Sequence, residues 1–312
     1  MPKLPSDRRL ITGAALVLLG AVLFSTKAVI VKLAYRYEVD SISLLALRML
    51  FSLPFFLLVA SYSGKASNRR HARLSHRDRW SILILGVMGY YLASLLDFLG
   101  LQYITAGLER LILFVYPTLV LLIGALVFRE PVYRRQLGAL VLTYVGITIA
   151  FLEGLSLSGG KNFVLGTVMV FFGALAYAVY IVGSGRLLPR IGTLRFTSLA
   201  MTAAAAAVLI HHGIARQWHL FGFPAPVYGL AFLMALIATV LPSFILSEGI
   251  RIIGSGNASI VGSIGPVSTI VLAYIFLGEQ LGWMQWSGTI LVISGVLFIT
   301  LQKHRKPRLK PE

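Results

Sequence analysis

Ten apolar runs of about 20 residues follow one another along the chain, near residues 10–33, 42–61, 80–102, 105–127, 136–152, 163–183, 196–213, 226–248, 257–277 and 284–301. A helix of ~20 apolar residues crosses a ~30 Å hydrocarbon core with every backbone group satisfied inside the segment. Little of the 312 residues remains for a separate water-soluble domain. The expected fold is therefore all-α and integral to a membrane, with ten transmembrane helices. Charged residues make up only 12% of the chain, against about a quarter in a typical soluble domain.

The net charge of +17 would suggest a nucleic-acid partner in a soluble protein, so the placement of the 28 Lys and Arg decides the matter. With the N-terminus inside, 21 of them fall in cytoplasmic segments, three (Arg36, Lys161 and Arg216) on the opposite side, and four (Lys27, Lys32, Arg48 and Arg110) within spans. That asymmetry follows the positive-inside rule. It predicts a multi-pass protein of the inner membrane with both termini cytoplasmic, and it replaces nucleic acid with the lipid bilayer as partner. The opening MPKLPSDRR leads into a run of full spanning length with no A-x-A-like cleavage site, which predicts an uncleaved first helix. Cysteine is absent, and the six His lie in loops or at span ends without an H-E-x-x-H pattern. No metal, no cofactor and no enzymatic nucleophile–base pair is expected, and no Walker A motif points to ATP.

The chain also repeats itself. At an offset of 149, Gly107 matches Gly256, Pro117 matches Pro266, Glu130 matches Glu279, Gln136 matches Gln285 and Gly146 matches Gly295. Upstream the offset drifts: Gly13 and Gly20 match Gly166 and Gly173 at 153, and Leu47-Arg48 matches Leu194-Arg195 at 147. The expected units are residues 1–155 and 156–302, with a basic cytoplasmic tail over 303–312. Five spans per unit is an odd number, so the second unit enters from the opposite side and the repeats are inverted. Inverted repeats are typical of secondary transporters, whose site lies near the midplane where the repeats meet.

Two stretches, PTLVLLIGALVFRE and PVSTIVLAYIFLGE, each place a mid-span proline thirteen residues before a terminal glutamate. With AGLERLILFVYPTLV and the LR of LALRMLF, they resemble the EamA-like branch of the drug/metabolite transporter superfamily over nearly the whole chain. The resemblance implies a carrier of two inverted five-helix repeats around a central cavity, often exporting amino acids or other small metabolites. The expectation is thus a secondary transporter working by alternating access, with a small-molecule substrate and protons as a candidate coupling ion. Uncoupled exchange fits the sequence equally, the alternatives are a carrier for another class such as drugs, amines or nucleosides and a non-transporting polytopic membrane scaffold, and the oligomeric state stays open.

Pro117 and Pro266 lie midway along their spans. Each removes a backbone hydrogen bond and crowds the carbonyl four residues earlier, at Leu113 and Gly262, so both are expected hinges. Tyr90, Ser94 and Asp97 share one helical face, and Thr239 and Ser243 answer Tyr90 and Ser94 at the 149 offset. With Phe114 and Ser263 on the proline-bearing spans, Tyr177 and Tyr180 on the sixth, and Ser25 on the first, they predict an aromatic, hydroxyl-lined substrate cavity. Such a wall suits a small amphipathic metabolite better than a sugar phosphate, which calls for several buried cations.

Five charges, Lys27, Arg48, Asp97, Glu109 and Arg110, fall in the outer third of their spans, where charge costs less than at the bilayer centre. Asp97 is expected to pair with Arg110 across the hairpin, leaving Glu109 for Arg48 or Lys27. The repeat partners of Asp97, Glu109 and Arg110 are Leu246, Ala258 and Ser259, so the scaffold does not require charge there. The cluster reads as an outer gate or proton-linked set, with a static ion-pair network as the alternative. Glu248 and Arg251, three residues apart, read as an inner latch.

Overall fold

The structure, a computed structural model, describes residues 7–67, 74–128, 161–262, 265–280 and 282–300, together with scattered positions between 138 and 153. Every regular element among them is helical: α1 (Asp7–Tyr35), α2 (Ser41–Ser67), α3 (His76–Gly86), α4 (Ala93–Gly100), α5 (Ala106–Leu113), α6 (Tyr116–Phe128), α7 (Lys161–Ile191), α8 (Thr193–Arg216), α9 (Ala225–Ala235), α10 (Leu241–Val261), α11 (Gly265–Leu277) and α12 (Trp283–Thr300). Seven helical stretches among the described residues are long and apolar enough to cross a membrane. Two of these contain a π-helical segment: Val87–Leu92 links α3 to α4, and Leu236–Val240 links α9 to α10.

Local chemistry sets the element ends. The Asp40 carboxylate accepts from the backbone N–H groups of Ile42 and Ser43, both at 3.1 Å, and starts α2. Ser75 and Asp78 form a capping box at α3. Thr105 caps α5 by accepting from Leu108 N at 3.3 Å. Gly278, at φ 70°, closes α11 as an αL cap: its N–H donates to Tyr274 O at 3.2 Å, and the N–H of Glu279 donates to Ala273 O at 3.3 Å.

The break before Pro117 is where the ring predicts it. α5 stops at Leu113, Phe114 and Val115 form a turn, and α6 resumes at Tyr116. α10 likewise ends at Val261, and α11 resumes at Gly265 with Pro266 next. The eighth apolar run departs from expectation. The helix does not end near 248 but runs on to Ile253, breaks at the single residue Gly254 (φ 81°, ψ 160°) and resumes at once. Ser255, Gly256 and Asn257 look like a loop, yet they form the first turn of the next helix.

Glycines set two helix crossings. α1 packs against α10, and α7 packs against α4. A Cβ on Gly249 would stand 2.4 Å from Val17 Cγ2 and 3.1 Å from Gly13 O, and one on Gly100 would stand 2.5 Å from Val170 Cγ2 and 2.8 Å from Gly166 O. Small residues that let two backbones approach are the usual basis of helix association in a bilayer, where lipid tails are as apolar as Leu. α2 packs along α8 and beside α9, placing the Arg48 face toward the middle of the bundle.

Candidate functional site

The two π segments and the two helix breaks surround one central cavity. Its walls come from α1 (Phe24, Lys27), α2 (Arg48), the first π segment (Tyr90), α4 (Ser94, Asp97), α5 and the turn after it (Arg110, Phe114), α6 (Tyr116), α7 (Tyr177) and the second π segment (Thr239), with Gly262 and Gly265 at the second break. Its volume is about 80 Å³. A π segment widens the helical turn and is often found at functional sites. Thr239 shows how one is accommodated: its hydroxyl donates to Met234 O, five residues back, at 3.0 Å.

Aromatic rings form a connected cluster in the wall and behind it. The Tyr116 and Tyr177 centroids lie 5.3 Å apart edge to face, Tyr177 stacks on Tyr180 at 6.1 Å, and Tyr180 meets Tyr90 at 4.9 Å. The Tyr180 hydroxyl donates to the Tyr90 hydroxyl at 3.3 Å. Gly89 is what admits this ring, since a Cβ there would lie 2.3 Å from Tyr180 Cγ.

Four of the five charges expected to form an outer gate, Lys27, Arg48, Asp97 and Arg110, line the same cavity, and Glu109 does not. Lys27 Nζ lies 2.6 Å from Asp97 Oδ2, so Asp97 pairs with α1 and not with Arg110 as the hairpin suggested. Arg110 Nη2 instead donates to Ser25 Oγ at 3.0 Å. Glu109 pairs with neither Arg48 nor Lys27. It is fully buried and no donor is aligned on either of its oxygens. Arg48 is 2% exposed, its guanidinium lies 5.0 Å over the Phe98 ring, and its Nε and Nη2 meet no acceptor.

Of the residues expected to line the cavity, Tyr90, Ser94, Phe114, Tyr177 and Thr239 do so. Ser25, Tyr180 and Ser243 stand behind the wall. Ser25 Oγ lies 2.7 Å from Ala21 O and 3.0 Å from Gly265 O, where it positions Arg110. Ser243 donates to Val240 O at 2.9 Å and closes the second π segment. Ser263 and the Pro266 side chain lie outside the described residues. Glu248 and Arg251 do pair, Arg251 Nε donating to Glu248 Oε2 at 2.9 Å, and Thr193 Oγ1 donates to the same oxygen at 2.6 Å. This set ties α10 to the start of α8.

One residue of consequence is missing from the expected set. The Glu279 carboxylate, just past α11, accepts from Ala106 N at 3.0 Å and Gly107 N at 3.1 Å, occupying the N-terminus of α5. The signal is present in the repeat, where glutamates recur at 130 and 279 and glycines at 107 and 256, but nothing in one dimension says that the two pairs meet.

The EamA-like transporter family model matches residues 11–152 and again residues 164–301. The chain is 31% identical over 307 residues to the uncharacterized transporter YcbK of Bacillus subtilis (strain 168), covering 96% of this chain and 97% of that one. It is 25% identical over 301 residues to the uncharacterized inner membrane transporter YicL of Salmonella typhimurium (strain LT2), covering 95% and 97%. One solved crystal structure superposes with a TM-score of 0.65 at 17% identity, over 93% of this chain and 97% of that one. Two successive matches that together span most of the chain, around one cavity walled by helices long enough to cross a bilayer, make this protein a member of the EamA-like transporter family.

Proposed function

We propose that the chain is a secondary transporter that exports a small metabolite, with amino acids and related compounds as the leading class, across the inner membrane by alternating access. In this reading ten helices cross the bilayer as two inverted units of five, both termini are cytoplasmic, and the cavity is the substrate site. One observation carries the reading: the irregularities of the two halves coincide. The π segments at 87 and 236, the breaks at Thr105 and Gly254, and the resumptions at Tyr116 and Gly265 all differ by 149 residues. Inert kinks have no reason to recur in register around one cavity, whereas two gates related by a pseudo-two-fold axis must.

The Glu279 contact supplies the gate. With α5 entering from outside, its N-terminus and the end of α11 meet at the outer mouth, and two N–H···O bonds hold that mouth shut. At the same offset, Glu130 stands to Ser255 and Gly256 as Glu279 stands to Ala106 and Gly107. By the symmetry of the repeat, Glu130, which lies outside the described residues, is the predicted counterpart of Glu279 at the inner mouth. Protons are the coupling ion in this reading, carried by the Asp97–Glu109 pair.

Reconstitution tests the proposal. Liposomes containing only this protein are expected to show saturable efflux of one substrate class, accelerated by an inward proton gradient. Flux that never saturates, or that matches empty liposomes for every class tried, contradicts it.

A further inference from the structure

We infer that the substrate carries a carboxylate, and that the Nε–Nη2 edge of Arg48 is its seat. This rests on the transporter reading and narrows it to a chemical class.

Three cations and two acids make up the ionisable set at the cavity: Lys27, Arg48 and Arg110 against Asp97 and Glu109. Lys27 is committed to Asp97, and Arg110 donates to Ser25. No donor is aligned on the Glu109 oxygens, and Asp97, the acid whose charge reaches Arg48, is bonded by Lys27 and not by Arg48. Arg48 therefore lines the cavity 98% buried, with Nε and Nη2 unmatched. An arginine stays charged in a protein, and a buried charge with open donors is costly. The Phe98 face, 5.0 Å away, offsets part of that cost from one side of the guanidinium plane but takes no hydrogen bond. A bound anion in the plane supplies what is missing.

Geometry selects the anion. Nε and Nη2 point their hydrogens the same way, and their parallel N–H bonds match the two oxygens of a carboxylate. A phosphate fits the same fork but brings further charged oxygens to a wall that is otherwise mostly apolar and aromatic. Beyond Arg48 the wall is Phe24, Tyr90, Phe114, Tyr116 and Tyr177, which fits an apolar or aromatic body. Asp97, the acid that lines the cavity, is already paired, so an amino group on the substrate is tolerated and not required.

Ligand-dependent thermal stabilisation of the purified full-length protein tests the assignment on one skeleton: 3-phenylpropionate, phenylalanine, 3-phenylpropionamide and phenethylamine, with inorganic phosphate as a fifth probe. The expected result is stabilisation by 3-phenylpropionate and phenylalanine, with the amide, the amine and phosphate at least tenfold weaker. In Arg48→Gln the carboxylates are expected to fall to the amide's level. In Arg48→Lys, which keeps the charge but loses the fork, the expected affinity is intermediate. Equal binding of amide or amine, preference for phosphate, no binding of either carboxylate, or carboxylate affinity that survives in Arg48→Gln each overturns the proposal. The wild-type ranking alone decides if the variants do not fold. Saturable flux of a substrate lacking a carboxylate sinks this assignment and leaves the transporter reading standing, whereas carboxylate binding without flux does the reverse.

Discussion

At the scale of single residues, buried charge dominates. Lys27 and Asp97 are 9% and 1% exposed and lie 2.6 Å apart, so each is tolerable only with the other. Lys27→Met is expected to cost about 3–5 kcal/mol by leaving Asp97 uncompensated, and the double variant Lys27→Met/Asp97→Asn is expected to cost less than Lys27→Met alone. Thermal unfolding in detergent reads the order, and a double variant less stable than either single one contradicts it. Asp40 is simpler because it lies outside the spans. Burial pushes its carboxyl up, but the hydrogen bonds from Ser43 and the neighbouring Arg216, whose Nε donates at 3.2 Å, outweigh burial and hold it below the ordinary range. A carboxyl depressed in the folded state adds stability that is fully present above its unfolded pKa and is lost as pH falls through the folded value. Asp40→Ala is therefore expected to cost about 1 kcal/mol at neutral pH, as loss of a helix cap does, and to cost less in acid. A penalty that persists unchanged at low pH contradicts that account.

At the scale of elements, the two glycine crossings carry the strongest prediction. Gly100 meets Val170 and the Gly166 carbonyl in the α4–α7 crossing, and Gly249 meets Val17 and the Gly13 carbonyl in the α1–α10 crossing. Gly100→Leu and Gly249→Leu are expected to destabilise by several times the about 1–3 kcal/mol of ordinary overpacking, because backbone as well as side chain stands in the way. A substitution at Gly229, where an added Cβ meets nothing within 4 Å, is the control. Equal midpoints for the three variants would contradict the packing account. Much of this was legible in one dimension: the apolar runs that form the seven spanning stretches among the described residues, the breaks before Pro117 and Pro266, and the correspondence of Gly13 and Gly20 with Gly166 and Gly173. What was not legible is which helices become neighbours. Arg110 is the nearest base to Asp97 along the hairpin, but α1 comes from far away in the sequence and brings Lys27 closer. The Gly254 break was hidden because Ser-Gly-Asn is turn composition, and only the match of Ser255 and Gly256 to Ala106 and Gly107 marks it as a helix start.

At the scale of the whole molecule, fold and site are one arrangement. The repeat places its irregular backbone around the cavity, the first half adds charge that its counterpart lacks, and a glutamate from the second half holds the N-terminus of α5. Because the chain contains no cysteine, opening at either mouth is accessible to direct observation. Ser94→Cys places a single thiol in the cavity wall, and a membrane-impermeant thiol reagent applied from either side of oriented vesicles reads which mouth is open. Added Glu279→Ala removes both acceptors at the outer clamp and is predicted to raise labelling from outside while lowering it from inside. Added Glu130→Ala is predicted to do the opposite. Labelling that moves in the same direction for both variants, or in neither, contradicts alternating access through this pair of glutamates.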